Sequence, residues 1–302
     1  MELLQHIKSR LGAVKNVGKI TRAMEVVSAT KMRKAQEVAL AARPYAINAL
    51  ELLRKLVLHA PGTIPLMEAR KIKSTLVVIV ASDRGLVGSF NAQVFRAADE
   101  LLAGPNISVV TVGKKALQYA QKKNVKIVKS YIGHGDFVKY GETVLFADHI
   151  IEGFLSDRWD EVKTVSTHFR TTLKQETLIR QILPTDFEKI KNTVDEIMPE
   201  RGRYADIKNK NGIYDKGTTE YIYEPSPAEV LQTLVPYLVS MQIYHLVLEA
   251  NASEHSARMV AMKTASDNAE ELSDSLVLAA NKARQATITK EMIEIISTQN
   301  AI

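Results

Sequence analysis

Residues 262–286 read MKTASDNAEELSDSLVLAANKARQA, and their small apolar side chains recur with the spacing of a coiled coil. The recurring positions step alternately by three and four residues, the a/d rhythm of a left-handed coiled coil: Met262, Ala265, Ala269, Leu272, Leu276, Ala279, Ala283 and Ala286. Many of them are alanine, so two helix backbones can approach closely along this seam. Neither glycine nor proline occurs in residues 237–302, and one helix through them would be about 100 Å long.

The N-terminal part of the chain carries a second helical stripe. Its positions are Ala13, Val17, Ile20, Met24 and Val27, continued by Lys31, Lys34, Val38 and Ala41. Such a stripe is typical both of a helix packed on a globular core and of a paired coiled coil. Length favours the pair, because a small domain has no core about 100 Å deep. We therefore expect long terminal helices that meet through these two seams.

Between the two ends, short β-branched runs alternate with helical patterns. The predicted order is strand 74–81, helix 94–102, strand 107–112, helix 114–123, strand 125–128 and helix 144–155. Strands that alternate with helices at these lengths indicate a parallel α/β sheet. Two further runs, 161–169 and 175–183, are predicted to add antiparallel strands. The middle of the chain is thus expected to be a compact domain inserted between two halves of a coiled coil.

The composition indicates a soluble protein without thiol chemistry. Of 302 residues, 46% are hydrophobic and 25% are charged, which is ordinary for a globular chain. The absence of cysteine excludes disulfides, a thiol nucleophile and cysteine metal sites. No apolar run reaches the ~20 residues needed to span a bilayer. The first residues open an amphipathic helical pattern rather than a signal peptide, so exposure to the cytosol is expected.

The net charge of +6 is unevenly distributed. Residues 15–34 contain six basic side chains against one acid, Glu25, whereas residues 267–274 contain four acids and no base. Such charges can simply flank a seam and set helix register. Because Lys31 and Lys34 fall on the predicted seam itself, we expect an acidic partner or solvent there. Nucleic acid is the less favoured partner, because neither aromatic interleaving nor a binding motif accompanies the basic residues.

The turn SDRGLVGSFN at residues 82–91 places Gly85 and Gly88 where a phosphate-binding loop would lie. Its spacing matches neither GxGxxG nor GxxxxGK, and no lysine follows Gly88 to reach a phosphate. The histidines are scattered without an HxxxH or HExxH pattern. Glu254 and His255 are adjacent, but neighbouring helical residues point about 100° apart. We therefore predict no catalytic residue, no cofactor site and no metal site in this chain.

Five segments, in order along the chain, resemble those of a known family. They are KNVGKITRAMEVVSATKMRKAQ at 15–36, SDRGLVGSFN at 82–91, YEPSP at 223–227, EHSARMVAMKTASDNAEEL at 254–272 and NKARQATITKEMIEI at 281–295. Together they are similar to the gamma subunit of F-type ATP synthase, over nearly the whole chain. No single segment is as specific as their order.

This resemblance implies an α/β fold class, in which an antiparallel coiled coil of long N- and C-terminal helices carries an inserted Rossmann-like α/β domain. Three parts are expected. Residues 1–60 form the N-terminal coiled-coil helix, residues 70–222 form the α/β domain with a polar insert at about 185–220, and residues 226–302 form the long C-terminal helix.

The resemblance also implies a function as the central-stalk rotor that couples proton flow through a membrane sector to ATP synthesis, and the reverse hydrolysis, in an alpha/beta hexamer. The implied partners are the alpha and beta subunits, the epsilon subunit and the membrane c-ring. Acidic loops of beta subunits are expected to meet the basic region that contains Met24, Lys31, Arg33 and Lys34. A further beta loop is expected to meet Arg284 and Gln285.

Two other functions stay open: a coiled-coil adaptor, which would dimerise through the seam, and a nucleotide-binding α/β enzyme, which would bind its ligand through the α/β domain alone. The insert contains ERGRYADIKNKNGIYDKG at 200–217 and is longer than in many bacterial members of the family. Without cysteine it cannot carry the thiol switch of plant chloroplast members. No Arg- and Ser-rich leader precedes the first helix, so we expect a bacterial protein at the cytoplasmic face of the inner membrane.

Overall fold

A computed structural model describes residues 2–41, 48–49, 51–53, 55–56, 64–133, 138–190 and 222–299 of the chain. In chain order its main elements are α1 (Glu2–Ala41), β1 (Thr75–Val80), α2 (Phe90–Leu102), β2 (Ile107–Val112), α3 (Lys114–Lys122), β3 (Lys126–Tyr131), α4 (Tyr140–Leu155), β4 (Glu161–Phe169), β5 (Gln175–Leu183) and α5 (Pro227–Gln299). Every strand and helix predicted for the middle of the chain is confirmed, with bounds that differ by a few residues at most.

The chain divides into two compact units. The helical unit contains Met1–Ala29 and Arg258–Ile302, and the sheet unit contains Thr30–Ala257. The sequence-based division at residues 1–60, 70–222 and 226–302 stays a prediction. Most of the polar insert predicted at about 185–220 lies outside the described residues.

In the helical unit, α1 packs against the C-terminal part of α5. A Cβ atom added to Gly18 would lie 3.4 Å from the Cβ atom of Ala269, so these two backbones approach closely. In an antiparallel register that places Gly18 opposite Ala269, Ala29 lies opposite Arg258. The helical unit ends at Ala29 on α1 and begins at Arg258 on α5, as this register requires. The predicted antiparallel helix pair is confirmed.

The seam of this pair is shifted from the predicted one. On α1 the predicted seam residues Val17, Ile20 and Val27 are exposed, whereas Thr21 and Ser28 are buried. On α5 only alternate positions differ from the prediction: Met262, Ala269 and Leu276 are buried as predicted, whereas Leu272, Ala279 and Ala286 are exposed. The predicted spacing of three and four residues is therefore found, but at the exposed positions the seam lies one residue further along the helix than predicted.

Hydrogen bonding explains why small polar residues occupy the seam. The hydroxyl of Thr21 donates to the carbonyl of Gly18 at 3.0 Å, and the hydroxyl of Ser28 donates to the carbonyl of Met24 at 2.7 Å. Each hydroxyl is thus satisfied by its own helix, so a small polar side chain can face the partner helix at little cost. An apolar pattern alone does not reveal this.

The sheet unit contains a five-stranded sheet with the order β3-β2-β1-β4-β5. Strands β1 to β4 run parallel, with Thr75 paired to both Ile107 and Glu161. Strand β5 is antiparallel to β4, as predicted from the short turn between them. All six residues of β1 are buried, because both faces of a parallel sheet are covered.

Two apolar clusters lie on opposite faces of this sheet. On one face, Leu76 and Val78 of β1 pack with residues of α4 and α5, among them Phe154 and Ile243. On the other face, Val77 and Ile79 pack with residues of α2 and α3, among them Val94 and Ala116. The strict alternation along β1 assigns each side chain to one cluster. The predicted fold class, with an inserted Rossmann-like domain, is therefore confirmed.

One glycine is required by packing on α4. A Cβ atom added to Gly153 would overlap the indole ring of Trp159. That ring is buried, and its Nε1 atom donates to the carbonyl of Ile150 at 3.0 Å. The ring therefore lies directly on the helix backbone, which only glycine permits.

Helix α5 covers the sheet with its N-terminal part and contains Pro236 in its interior. By length and composition the stretch Pro227–Ile293 could cross a membrane, since its most apolar 18-residue window has a mean hydropathy of 1.2. However, 61% of that window is buried inside the protein. A helix that packs on a sheet passes the same test, so this apolar stretch is explained by core packing.

Candidate partner-contact site

The outward face of the helical unit carries large apolar side chains. On α1, Val17, Ile20 and Val27 are 53%, 60% and 50% exposed, and on α5 Leu278 is 71% exposed. Isolated exposed apolar residues are common, but a helical pair seldom presents a series of them to solvent. The sequence prediction placed three of these residues in the seam. Their exposure instead indicates a surface that is covered by another protein.

The C-terminal turns of α5 extend this apolar surface. In the antiparallel register set by Gly18 and Ala269, Glu2 lies opposite Gln285, so α1 ends at that level. Beyond it Ile288, Met292, Ile293 and Ile296 are all about half exposed, at 48%, 55%, 60% and 58%. Among the residues that the structure describes, none of α1 lies opposite these turns, and four such side chains indicate a binding site for an apolar surface.

The six predicted contact residues lie at accessible positions on the two long helices. On α1, Met24 and Lys31 are half-buried, whereas Arg33 and Lys34 are exposed. Lys34 lies 3.9 Å from Glu37, an exposed pair that neutralises it only weakly. On α5, Arg284 and Gln285 are both exposed.

These residues do not form one cluster. In the antiparallel register Met24 lies opposite Lys263, and Arg284 is 21 residues further along α5, roughly 30 Å away along the axis. Within the helical unit, Met24 and Arg284 therefore belong to two separate contact levels. The sheet unit begins at Thr30 and therefore includes Lys31, Arg33 and Lys34.

The loop between β1 and α2 is closed by its own side chains. The hydroxyl of Ser82 donates to the carbonyl of Arg84 at 2.7 Å, and the side-chain amide of Asn91 donates to the Ser82 hydroxyl at 2.7 Å. Asp83 accepts from the backbone N–H of Lys114 at 2.8 Å, at the N-terminus of α3, and from that of Gly133 at 3.1 Å. Asp83 thus caps the N-terminus of α3, the helix that follows β2, and not that of α2, into which the glycine loop leads.

The cavity beside this loop is small. It lies at the ends of β1 and β2, under α5, and its volume of about 30 Å³ is enough for a water molecule or two. Asp83, Gly113 and Asn251 contribute to its lining. Gly88 has a φ of +56°, the left-handed backbone conformation that a tight turn requires.

Among the residues that the structure describes, no group of three histidine or carboxylate side chains could hold a metal ion. A cluster of titratable groups in the sheet unit is centred on a residue that the sequence analysis did not single out. Glu249 of α5 contacts His245 one turn earlier and His168 of β4. The spacing of four residues between His245 and Glu249 was a signal in the sequence, whereas the approach of His168 was not.

Comparison with known proteins agrees with this architecture. A family model described as ATP synthase matches residues 3–302. The chain is 40% identical over 312 residues to the ATP synthase gamma chain of Roseiflexus castenholzii, and 38% identical over 308 residues to that of Geobacter metallireducens. Both alignments cover all of this chain and 99% of the relative.

Solved structures share the fold at lower identity. A chain from the Euglena gracilis mitochondrial ATP synthase, in a structure of OSCP, F1 and the c-ring in rotational state 3, superposes with a TM-score of 0.68 at 19% identity, covering 99% of this chain and 94% of that one. A chain from the rotor of the same enzyme in rotational state 1 gives 0.63 at 18% identity, covering 95% and 99%. By its full-length match to the curated relatives, this chain belongs to the ATP synthase gamma-chain family.

Proposed function

We propose that this chain is the central-stalk rotor of a proton-translocating F-type ATP synthase. It couples proton flow through the membrane sector to ATP synthesis from ADP and phosphate in the alpha/beta hexamer, supports the reverse hydrolysis, and regulates ATPase activity. The observation that carries this proposal is the end-to-end alignment with bacterial gamma chains. The chain itself is a non-catalytic subunit of the complex and needs no cofactor.

The helical unit has the properties that a rotor shaft requires. A close antiparallel pair resists bending and twisting, because each helix is held by the other along its seam. The two helices differ in sequence, so the shaft presents a different face in each direction. Its exposed apolar surface can turn within a protein collar, because apolar contacts are non-directional.

The partner contacts are proposed on both long helices. Acidic loops of beta subunits meet the basic strip near Met24, Lys31, Arg33 and Lys34, and another beta loop meets Arg284 and Gln285. The α/β domain meets the epsilon subunit and the c-ring. One copy is present per complex, with no nucleic acid and no small-molecule substrate bound to this chain.

The proposed location follows from these partners. As part of a complex that includes a membrane c-ring, the chain is peripheral on the cytoplasmic face of the bacterial inner membrane. We also propose that the parts at 1–60, 70–222 and 226–302 act as shaft, foot and shaft respectively.

Reconstitution tests the proposal. The purified chain, mixed with alpha and beta subunits of the same organism, is expected to co-purify as one copy per three alpha/beta pairs and to raise their ATP turnover. The chain alone is expected to be inert. An adaptor would instead appear as a homodimer in sedimentation equilibrium, and a nucleotide-dependent enzyme would bind ATP in calorimetry without its partners. Either result, together with unchanged turnover in the mixture, contradicts the rotor function.

The contact at Arg284 has its own test. Losing a charge-assisted hydrogen bond typically costs about 1.5–3 kcal/mol, so Arg284→Ala should lower turnover or weaken assembly. Lys282→Ala is the matched control, because it removes an exposed cation from the same helical turn. Equal behaviour of the two variants would remove Arg284 from the proposed contact.

A further inference from the structure

A buried carboxylate joins α5 to the sheet. Glu249 is 7% exposed, and its Oε2 atom lies 2.9 Å from Nδ1 of His168 on β4. Its Oε1 atom lies 3.2 Å from Nε2 of His245, one turn earlier on α5. Arg180 of β5 adds a guanidinium nitrogen 3.8 Å from Oε2. Three cationic or potentially cationic side chains, from three elements, therefore surround one carboxylate.

The electrostatics keep this carboxylate ionised. Burial by itself raises the pKa of Glu249, but the charge of His245 and the hydrogen bonds from His168 and His245 outweigh burial and lower the pKa to about 2. An ionised carboxylate inside a protein is stable only while its partners stay in contact, because the desolvation cost is offset by nothing else. The position of α5 on the sheet is thereby coupled to the geometry of these contacts.

Glu249 belongs to a polar stripe along α5. His245, Glu249, Ser253 and Ser256 are all buried, and their spacing of four, four and three residues puts them on one side of the helix. The stripe faces the strand pair of β4 and β5 and the turn that joins them.

Each serine of this stripe adds a directional contact. Ser253 donates to the carbonyl of Thr167 at 3.4 Å, and Ser256 donates to the carbonyl of Thr172 at 2.7 Å. Gln175 in turn donates to the Ser256 hydroxyl at 3.3 Å. The contacts continue over about three turns of α5, so they limit both sliding and rotation of the helix.

Apolar packing alone would not fix the position of α5 on the sheet. The hydrophobic effect is non-directional, so a helix can shift on an apolar surface while its buried area changes little. Hydrogen bonds weaken steeply when their distance or angle departs from the optimum. A small twist of α5 against the sheet would therefore separate Glu249 from its partners, and the energy would rise much faster than for an apolar contact.

We propose that the polar stripe of α5, centred on Glu249 and its partners His168, His245 and Arg180, is the torsional lock that transmits torque between α5 and the α/β domain. This assignment rests on the proposed rotor function. Glu249 acts here as a positioning residue, since it fixes one element against another and contacts no substrate.

The test measures torsional stiffness in the assembled enzyme. Because the chain has no cysteine, a Lys126→Cys substitution at an exposed position of the edge strand β3 provides one position for a rotation probe. The alpha/beta hexamer is attached to a surface, and the angular variance of the probe is recorded during catalytic pauses. Glu249→Gln is expected to increase this variance roughly twofold, because it removes the charge to which three side chains are oriented.

Two further variants separate torque transmission from stability. Glu176→Gln is the control, since it removes an exposed carboxylate paired with Arg170 at 3.1 Å in the same strand pair. The variant His168→Leu/Arg180→Met/His245→Leu/Glu249→Met replaces the whole charged cluster by apolar side chains, which commonly preserves folding stability. It is expected to melt like the parent and still show increased angular variance, and it decides the question if Glu249→Gln does not assemble.

The outcomes separate the lock from the rotor function. If the parent rotates and the apolar variant has the parent's angular variance, the torsional lock is wrong and the rotor function stands. If the parent probe does not rotate with ATP, the rotor function fails and the lock fails with it. Increased variance in Glu176→Gln equal to that in Glu249→Gln would also overturn the assignment.

Discussion

Replacement of Gly18 tests the close approach of the two helices in the helical unit. A Cβ atom at this position would meet the Cβ atom of Ala269 at 3.4 Å, an ordinary van der Waals contact. Gly18→Ala therefore fits, and it should stabilise the helix by about 0.5–1 kcal/mol because alanine loses less backbone entropy. Gly18→Leu adds three further carbon atoms at a place already filled by Ala269.

The magnitude for leucine follows from overpacking. Inserting methylene groups into a closed interface costs about 1–3 kcal/mol, which exceeds the gain in helix propensity. Gly12→Leu is the matched control, because no atom lies within 4 Å of a Cβ atom added to Gly12. It keeps the propensity gain without the clash. The two leucine variants should therefore differ by about 1–3 kcal/mol.

Hydrogen exchange of the α1 amides in the full chain measures this difference locally. Since 1.4 kcal/mol corresponds to tenfold, protection factors should differ by roughly five- to a hundredfold between the variants. Adding Ala269→Gly to Gly18→Leu should restore part of the protection by removing the opposing methyl group. Equal protection in Gly18→Leu and Gly12→Leu would refute the close-packed pair.

Three other predictions concern the seam, the sheet unit and its buried charge. Ala283→Leu should weaken the helix pair by about 1–3 kcal/mol while Ala279→Leu should not, because Ala283 is half-buried and Ala279 is exposed; hydrogen exchange of α5 distinguishes them. Gly153→Ala should cost about 2 kcal/mol or more despite better helix propensity, because the methyl group overlaps a buried indole ring, whereas Gly141→Ala has open space and serves as the control in urea unfolding. The folded-state pKa of Glu249 lies below its ordinary value of 4.5, so its stabilisation is complete above that pH and about 3 kcal/mol is lost as the pH falls towards 2. Glu249→Gln should flatten the acid limb of a plot of unfolding free energy against pH, and an unchanged limb would show that other groups cause it.

The order of strands and helices could be predicted because it depends on local patterns. A run such as TLVVIV is buried on both faces, so its β-branched residues need no particular partner to be recognised as a strand. The antiparallel direction of β5 followed from the short turn before it, since a parallel connection needs a crossover. Family membership was also visible in the sequence, because five ordered segments carried it.

The hydrophobic pattern does not predict which face of each helix forms the seam. A seam selected by hydrophobicity contains Val17 and Ile20, whereas the actual seam contains Gly18 and Thr21. Close approach of two backbones requires small side chains, and the hydroxyl of Thr21 is satisfied within its own helix. The larger apolar residues are then left for a partner surface. Sequence periodicity reveals that a helix pairs, while steric fit decides which face it uses.

The sequence by itself determined the element order, the paired terminal helices and the family, because these depend on residue spacing along one chain. Only the tertiary structure decided that His168 and Arg180 meet Glu249, since those residues are 81 and 69 positions apart from it. A buried carboxylate needs cationic partners, but the sequence does not show which strands supply them. That choice is made by the parallel sheet, which brings β4 and β5 beneath α5.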